Sequence, residues 1–336
     1  MNQPLVSVII PCFNAKQFLS EAIESILAQT YPRIEIIVID DGSTDDSLEI
    51  IKSYGDRLIW RTGANKGGNY ARNLGFTLSQ GEYIQYLDAD DYLLPEKIAK
   101  QVRCLQESAA DVVYSDWQHL VHQADGSSFL DAIRICGPKT DFLESLLANE
   151  RWSNLTPILF SREIVIQSGG WDESLTAAQD RDFLISVALT KAKFVYQPGC
   201  DSIYRIPNRP TVSSGCRLRW FKAHCLVMEK AEQKLLALNQ LNSRYKKALA
   251  RAYRAIGREY LYYYYDQSEL DKYRTYAAIL EKIIALNPQF FGEIDNLLYK
   301  ICLWLFGYKT AEKIAYLVNQ QRITPTKKIE LLITAD

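Results

Sequence analysis

The residues with the clearest chemical potential are three carboxylates within four positions, Asp88, Asp90 and Asp91. They directly follow residues 82–87, an apolar and β-prone run that predicts a buried strand. Like charges at a strand end repel one another unless a cation lies there, and Asp88 and Asp90 face the same side of an extended chain. Hard oxygen ligands suit Mg²⁺ or Mn²⁺. The alternative is a helix N-terminus that Asp90 or Asp91 caps.

The elements that must position these carboxylates alternate between strands and helices. Apolar runs predict strands at residues 5–11, 35–39, 58–61, 82–87 and 111–116. Helical spacing predicts helices at residues 18–29, 46–54, 70–79 and 95–106. This alternation predicts an α/β fold with a doubly wound, mostly parallel sheet, in which ligands bind beyond the carboxyl ends of the strands.

Three polar clusters lie at those predicted strand ends. Residues 11–14 follow the first strand, Asp40 and Asp41 follow the second, and the acidic cluster follows the fourth. We therefore expect them to converge on one rim of the sheet. The sequence has no GxxxxGK[ST] segment and no GxGxxG after the first strand, which disfavours a P-loop or a dinucleotide site. A metal, with Lys66 and Arg72 as helpers, would then neutralise any bound phosphates.

Further carboxylates follow in the middle of the chain. Asp172 comes after a Gly-Gly-Trp segment, and Asp180 and Asp182 open an apolar helix. Acidic residues at a helix start often serve only the helix dipole. That explanation accounts for Asp182 and less well for Asp180 and Asp172 together. We expect His119 to be a polar edge residue rather than a metal ligand.

Composition and charge define two regions. The 336 residues are 48% hydrophobic, as in ordinary globular protein, and the seven scattered cysteines form no CxxC pair. We expect a reducing, cytoplasmic location, because the start lacks the pattern of a signal peptide. Residues 1–216 carry a net charge of −9 and residues 217–336 one of +8. We therefore expect a catalytic domain over 1–216 and a separate region over 217–336.

The second region predicts helices only, at residues 220–238, 245–265, 270–286, 294–306 and 311–318. Five tyrosines lie within residues 260–265. Their spacing indicates helix packing with hydroxyl groups that reach solvent. The alternative is an aromatic and basic face against a membrane surface, to which residues 217–222 would also contribute.

Taken in order, these segments resemble the family 2 glycosyltransferases of GT-A fold. The resemblance rests on residues 8–14 (VIIPCFN), 39–45 (IDDGSTD), 65–67 (NKG), 71–73 (ARN) and 81–91 (GEYIQYLDADD). Residues 169–173 (GGWDE) and 179–182 (QDRD) are similar to later motifs of that family. The resemblance covers about residues 5–205, and the helical remainder matches no motif that we can name.

The resemblance implies transfer of a sugar from a nucleotide-sugar, by default a UDP-sugar, to an acceptor hydroxyl with inversion at the anomeric carbon. It implies a Mn²⁺ or Mg²⁺ cofactor on Asp90 and Asp88, with Asp91 able to share either role. Asp180 resembles the catalytic base, with Asp172 and Trp171 on the acceptor side. The residues implied for the nucleotide-sugar are Pro11, Phe13, Asn14, Asp40, Asp41, Lys66, Arg72 and Asp88.

The sequence departs from the family pattern at two positions. Gln179 stands before the base-position Asp180, where the family often has Glu, which concerns acceptor contacts. Ile206 and Pro207 follow Tyr204-Arg205, where the family often has a His near the metal. We therefore expect a metal site made of carboxylates and phosphates alone.

Two other functions compete with this one. A nucleotidyltransferase would carry a glycine-rich loop and a basic residue after the first strand, and residues 11–14 have neither. A degenerate scaffold would bind a nucleotide-sugar without turnover, but Asp41, Asp88, Asp90 and Asp180 are all retained.

The expected partners are a nucleotide-sugar and a glycan or lipid-linked acceptor, in the synthesis of cell-surface polysaccharide or glycoconjugate. The basic helical region would serve acceptor, membrane-surface or oligomer contacts, or would form a basic cap on the acidic domain. No basic and aromatic motif for nucleic acid is recognisable, so we expect no nucleic-acid partner.

Overall fold

In this computed structural model the protein is described at residues 3–137, 141–150, 154–206, 217–263 and 269–290. The chain divides into two compact units. The first comprises Met1–Leu143 and Trp152–Arg209, and the second comprises Glu144–Arg151 and Pro210–Asp336. The main division lies close to residue 216, where the charge pattern changes, and the short segment Glu144–Arg151 is grouped with the helical unit.

One mixed sheet organises the first unit. Its strands in the described residues are β1 (Val6–Cys12), β2 (Ile34–Asp40), β3 (Ile59–Thr62), β4 (Tyr83–Tyr86), β5 (Tyr92–Leu93), β6 (Val112–His122), β7 (Ser128–Leu130), β8 (Ile158–Ser161) and β9 (Phe194–Ile206). They are arranged in the order β3-β2-β1-β4-β8-β6-β9-β5, and β7 pairs with β6. The α/β class expected from the sequence is therefore confirmed.

The direction of the strands differs between the two halves of the sheet. Strands β1 to β4 are parallel neighbours, as predicted. Strand β8 runs antiparallel to both β4 and β6, and β5 runs antiparallel to β9. Strands β6 and β9 are parallel again, so the sheet is mixed beyond β4, where the sequence predicted mostly parallel strands. An apolar run indicates a strand but carries no signal for its direction when no regular crossover helix follows.

Helices cover both faces of β1, which explains its continuous apolar run. Val8 and Ile10 belong to the buried cluster that also contains Leu19 and Ile23. The helices up to residue 189 are α1 (Leu19–Leu27), α2 (Ser47–Ser53), α3 (Gly68–Leu78), α4 (Lys97–Ser108), α5 (Phe142–Leu147), α6 (Arg162–Ser168) and α7 (Gln179–Leu189). On the opposite face α3 approaches so closely that a Cβ atom at Gly75 would lie 2.4 Å from Cγ2 of Ile9. Only glycine permits this approach.

The second unit contains three described helices, α8 (Arg217–Ala237), α9 (Ser243–Tyr263) and α10 (Glu269–Leu286). These correspond to the first three predicted helices, while those predicted at 294–306 and 311–318 lie outside the described residues. The ring of Tyr260 is buried and lies 4.4 Å from that of Phe221, centroid to centroid. For this tyrosine, helix packing is the observed role.

Part of the positive charge of α9 is paired within the second unit. Arg251 contacts the carboxylates of Glu144 and Glu150, both at 3.3 Å, and Arg244 also pairs with Glu144. Among the helices that the structure describes, none combines the length and the apolar character needed to cross a membrane.

Candidate active site

The polar clusters expected at the strand ends do meet at one rim. Strand β1 lies between β2 and β4, and all three are parallel. Residue Cys12 at the end of β1 is in register with Asp40 at the end of β2. The acidic cluster begins two residues after β4 ends. Pro11 lies within β1 rather than ending it, so the strand ends one residue later than expected.

The loops after β1 and β2 are bonded to each other. The side-chain oxygen of Asn14 accepts the backbone N–H of Thr44 at 2.8 Å, and the N–H of Asn14 donates to the Ser43 hydroxyl at 2.9 Å. Asn14 adopts a left-handed backbone with φ of 50°, which asparagine tolerates better than most residues. The neighbouring Phe13 is 50% exposed, so its ring presents a free apolar face at the rim.

Asp40 and Asp41 are both buried and both organise backbone. Asp40 accepts the Thr62 hydroxyl at 2.6 Å. The two carboxylate oxygens of Asp41 accept the N–H groups of Lys66 and Gly67, each at 2.8 Å. Asp41 thereby fixes the loop that leads into α3. Lys66 itself is exposed, and its ammonium lies 4.5 Å from the centre of the Tyr70 ring rather than against a carboxylate.

The three carboxylates of the acidic cluster have different surroundings. The Asp88 side chain is 35% exposed, and Asp90 is partly exposed. Asp91 is buried; its oxygens accept the Thr156 hydroxyl at 2.6 Å and the N–H of Arg205 at 2.9 Å. Burial and then the charges of Asp90 and Asp88 raise the pKa of Asp91 well above its usual value. Asp91 therefore supports the turn from the interior of the fold, while Asp88 and Asp90 lie closer to solvent.

Arg72 on α3 contacts the acidic cluster. Its guanidinium bonds to the Asp88 carboxylate at 2.6 Å and lies 4.6 Å from the centre of the Trp171 ring. Burial lowers the pKa of Arg72, but the carboxylates of Asp88 and Asp180 outweigh that effect and raise it. A buried cation that contacts a carboxylate and a ring face has little freedom to move.

Asp180 completes this group. It lies in the first turn of α7, which begins after Ala178 in a left-handed conformation with φ of 56°. Burial raises the pKa of Asp180 to about 6; the charge of Arg72 opposes that rise, and the charge of Asp88 adds to it. A carboxylate with such a pKa is mostly ionised at neutral pH and still basic enough to take a proton.

Two asparagines of α3 hold the segment that leads to α7. The side-chain N–H₂ of Asn69 donates to the carbonyl of Asp172 at 2.6 Å. Asn73 donates to the carbonyl of Trp171 at 2.9 Å and accepts the Trp171 N–H at 3.0 Å. Trp171, which we expected on the acceptor side, is buried and stacks on the Phe183 ring at 4.3 Å. The carboxylate of Asp172 accepts the N–H and hydroxyl of Ser174.

Sequence reasoning gave no role to two residues that the structure brings to the site. Thr156, before β8, bonds to Asp91. Tyr204 lies on β9, near the acidic cluster. Burial raises the pKa of its hydroxyl, and the charges of Asp91, Asp88, Asp90 and Asp180 raise it further. No local pattern marks Thr156. Tyr204 could have been found, because it lies in the Tyr204-Arg205 segment that we compared with the family pattern. His119 is bonded to Asp131 at 2.9 Å, in agreement with the expected edge role.

Four parallel strands, an acidic turn after β4 and a mixed continuation through β8, β6 and β9 are arranged as in the GT-A class of glycosyltransferase fold. Residues 7–123 match the family model described as Glycosyl transferase family 2. Over these residues the chain is similar to the family 2 glycosyltransferases, in agreement with the resemblance of its sequence motifs.

Relatives and solved structures agree with this assignment. An uncharacterized glycosyltransferase of Haemophilus influenzae is 35% identical over 175 residues, which cover 49% of this chain and 65% of the relative. One of Rickettsia typhi is 41% identical over 127 residues, which cover 38% of this chain and 40% of the relative. The chain thus spans less than two thirds of the length of these relatives.

The structural neighbours have low sequence identity and speak for the fold alone. The crystal structure of S. aureus TarS is similar at a TM-score of 0.61 and 18% identity, over 93% of this chain and 54% of that one. TarS 1-349 in complex with UDP-GlcNAc is similar at a TM-score of 0.51 and 19% identity, over 89% of this chain and 81% of that one.

Proposed function

We propose that this protein is an inverting glycosyltransferase that moves a sugar from a nucleotide-sugar to an acceptor hydroxyl. One observation carries the proposal. Arg72 bonds to Asp88 at 2.6 Å, and Asp180 lies in the same group, where burial raises its pKa to about 6. A cationic group and a weakly basic group beside one acidic cluster suit a reaction in which an anion leaves and a hydroxyl loses a proton.

In this mechanism Asp180 takes the proton of the acceptor hydroxyl as its oxygen attacks the anomeric carbon. Arg72 orients the Asp88 carboxylate and supplies a fixed positive charge near the departing diphosphate. Phe13 offers its exposed face to the base, and Asp41 fixes the loop against which the nucleoside rests. The absence of a nearby His after Tyr204-Arg205 leaves these groups as the main protein contacts.

The residues present also fit a divalent cation. Asp90 and Asp88 would hold it, since both are partly exposed, whereas both oxygens of Asp91 already accept hydrogen bonds. Within the described ranges no group of three or more His, Cys, Asp or Glu residues could hold a metal, so phosphate oxygens would complete the ligand set. When bound, Mn²⁺ or Mg²⁺ would offset the charge of the leaving diphosphate.

For the donor we propose a UDP-sugar, because the fold is similar to that of TarS, which binds UDP-GlcNAc. For the acceptor we propose a glycan or lipid-linked glycan in cell-surface polysaccharide synthesis. The basic helical region would bring the protein to an anionic membrane face or present the acceptor. Full-length protein should then bind anionic vesicles more strongly than neutral ones, and equal binding to both would rule out the membrane role.

A binding experiment tests the donor side of this proposal. Ligands that bind only the folded state raise the melting temperature. We expect Mn²⁺ with one nucleoside diphosphate, or with its sugar derivative, to raise it in the wild type and not in Asp90→Asn. Asp56→Asn, which changes an exposed carboxylate in another loop, is the matched control and should respond like the wild type.

A turnover experiment separates an enzyme from a scaffold. Asp180→Asn should bind the donor as the wild type does and lose transfer to the acceptor. Binding of a nucleotide-sugar by the wild type without release of nucleoside diphosphate, across a panel of glycan acceptors, would favour a scaffold. Absence of any ligand-induced shift in the wild type would contradict the proposed function altogether.

A further inference from the structure

A lysine lies fully buried beneath the acidic turn. Lys97 is the first residue of α4, and its side chain is 0% exposed. Helix α4 packs against β6, β8 and β9, so the ammonium position is inside the fold and not at its surface. The following lysine on the same helix, Lys100, is partly exposed and pairs with Glu96 and Asp201 at 3.0 Å each. Only the first of these two lysines requires an explanation.

The amine of Lys97 has one observed partner, the side-chain oxygen of Gln85. Gln85 is the central residue of β4 and is itself fully buried. Its side-chain N–H₂ group donates to the carbonyls of Tyr86 at 2.6 Å and Thr156 at 3.2 Å. Lys97 therefore fixes the orientation of an amide whose other end bridges β4 and the segment before β8.

These bonds continue to the acidic turn. Thr156, whose carbonyl accepts from Gln85, donates its hydroxyl to Asp91 at 2.6 Å. The N–H of Asp91 in turn donates to the carbonyl of Asp88 at 3.0 Å and closes the turn. A continuous series of hydrogen bonds thus runs from Lys97 to the backbone of Asp88. Lys97, Gln85, Thr156 and Asp91 are all buried, so the bonds between them are not in competition with water.

Burial of the Lys97 amine costs free energy, because the amine loses its hydration. Burial lowers the pKa of Lys97 well below its usual value; the charge of Asp201 acts in the opposite direction, but that carboxylate is bonded to Lys100. An apolar side chain of similar volume would fill the space without desolvating an amine. What such a side chain would lack is a donor for Gln85.

We propose that Lys97 is a positioning residue for the reaction, which holds the acidic turn through Gln85, Thr156 and Asp91 so that Asp88 and Asp90 lie ready for the cation and the diphosphate. This inference rests on the proposed function, since it concerns the same site. The proposed role of the Lys97 side chain depends on its N–H donor and not on its charge.

Three variants separate the donor from the charge and from general stability. Lys97→Met keeps the volume and removes the donor. Lys97→Gln removes the amine and keeps an N–H donor for Gln85. Lys100→Met changes the exposed lysine of the same helix. The measured quantities are the Kd for UDP and for GDP in the presence of Mn²⁺, by calorimetry, at a temperature well below the melting temperature of each variant.

We expect Lys97→Met to weaken Mn²⁺-dependent nucleotide binding by about tenfold, the lower end of the effect seen when outer partners of metal sites are removed. Lys97→Gln should restore a Kd within about twofold of the wild type by keeping the hydrogen bond, and Lys100→Met should leave the Kd unchanged.

A folded Lys97→Met protein that binds as the wild type does would overturn the inference while the proposed function stands. If Lys97→Met does not fold, Lys97→Gln decides, since a tenfold loss there would also overturn it. A wild type that binds neither nucleotide would remove the proposed function and this inference with it.

Discussion

Replacement of Asp180 by asparagine should stabilise the protein at neutral pH while it removes activity. Folding places this carboxyl group where burial raises its pKa from 3.8 to about 6. Between those two pH values the folded protein holds a proton that the unfolded chain has released. The free energy of unfolding contributed by Asp180 therefore decreases as pH rises through this window and is level above it. Asparagine does not titrate and avoids this loss.

The size of the effect follows from the shift. A difference of about two pH units at about 1.4 kcal/mol per unit gives about 3 kcal/mol as an upper limit. Asp180 is partly exposed, so solvent reduces this value. We expect the stability difference between Asp180→Asn and the wild type to grow by about 1.5 kcal/mol from about pH 4.5 to about pH 7.5.

Urea unfolding of both proteins at a series of pH values measures this difference directly. Glu163→Gln is the control, because Glu163 also lies in the first turn of a helix, α6, but is exposed. Any change with pH that this variant shows measures effects other than those of the Asp180 carboxyl group. In the wild type, kcat/KM for transfer should rise with pH through about 6 and then level off, since Asp180 acts as base only when ionised.

A stability difference that stays constant from about pH 4.5 to about pH 7.5 would refute the reasoning, because Asp180 would then titrate alike in both states. If the stability difference rises with pH but Asp180→Asn keeps its transfer activity, the raised pKa of Asp180 is supported and its role as the base is rejected.

Three further substitutions test how the site is supported. Asp91→Asn should lower the free energy of unfolding by about 1–3 kcal/mol in urea titrations, because an amide cannot accept from both Thr156 and the Arg205 N–H as the carboxyl group does; an unchanged midpoint would contradict this. Asn73→Ala should reduce transfer more than donor binding, since it releases the segment that carries Trp171; equal losses in Kd and kcat would argue against it. Gly81→Ala should destabilise by about 1–3 kcal/mol in thermal melts, because the added Cβ would lie 2.6 Å from the Ser7 nitrogen.

The sequence was most informative where local pattern and chemistry coincide. The strands up to residue 87 and the helices between them lie within about two residues of their predicted bounds, since β1 and β2 are mainly apolar runs that are followed by polar residues. Their parallel direction and the convergence of Asp41 and Asp88 on one rim followed from the alternation alone. Beyond that point the pattern weakens: β9 is one strand of 13 residues, of which the apolar pattern marks only residues 194–196.

The inner support of the site could not have been predicted from the sequence. Nothing in an isolated Lys97 or Thr156 indicates that it reaches the acidic turn, because such contacts depend on which strands become neighbours. The three adjacent carboxylates also looked equivalent in the sequence, and only their burial separates Asp91 from Asp88 and Asp90. Their assignment to the cation remains a prediction.

The hydrogen bonds of Asp91 also determine when in synthesis the site can exist. One partner lies 65 residues further along the chain and the other 114 residues. The parallel half of the sheet can form as soon as residue 86 has emerged, but the turn beside it stays incomplete until residue 205 has been made. A ribosome-bound nascent chain that stops before β9 should therefore contain most of the nucleotide-side rim and yet lack a stable acidic turn. In the proposed function, the protein would gain the capacity to bind its donor only after more than half of the chain has been translated.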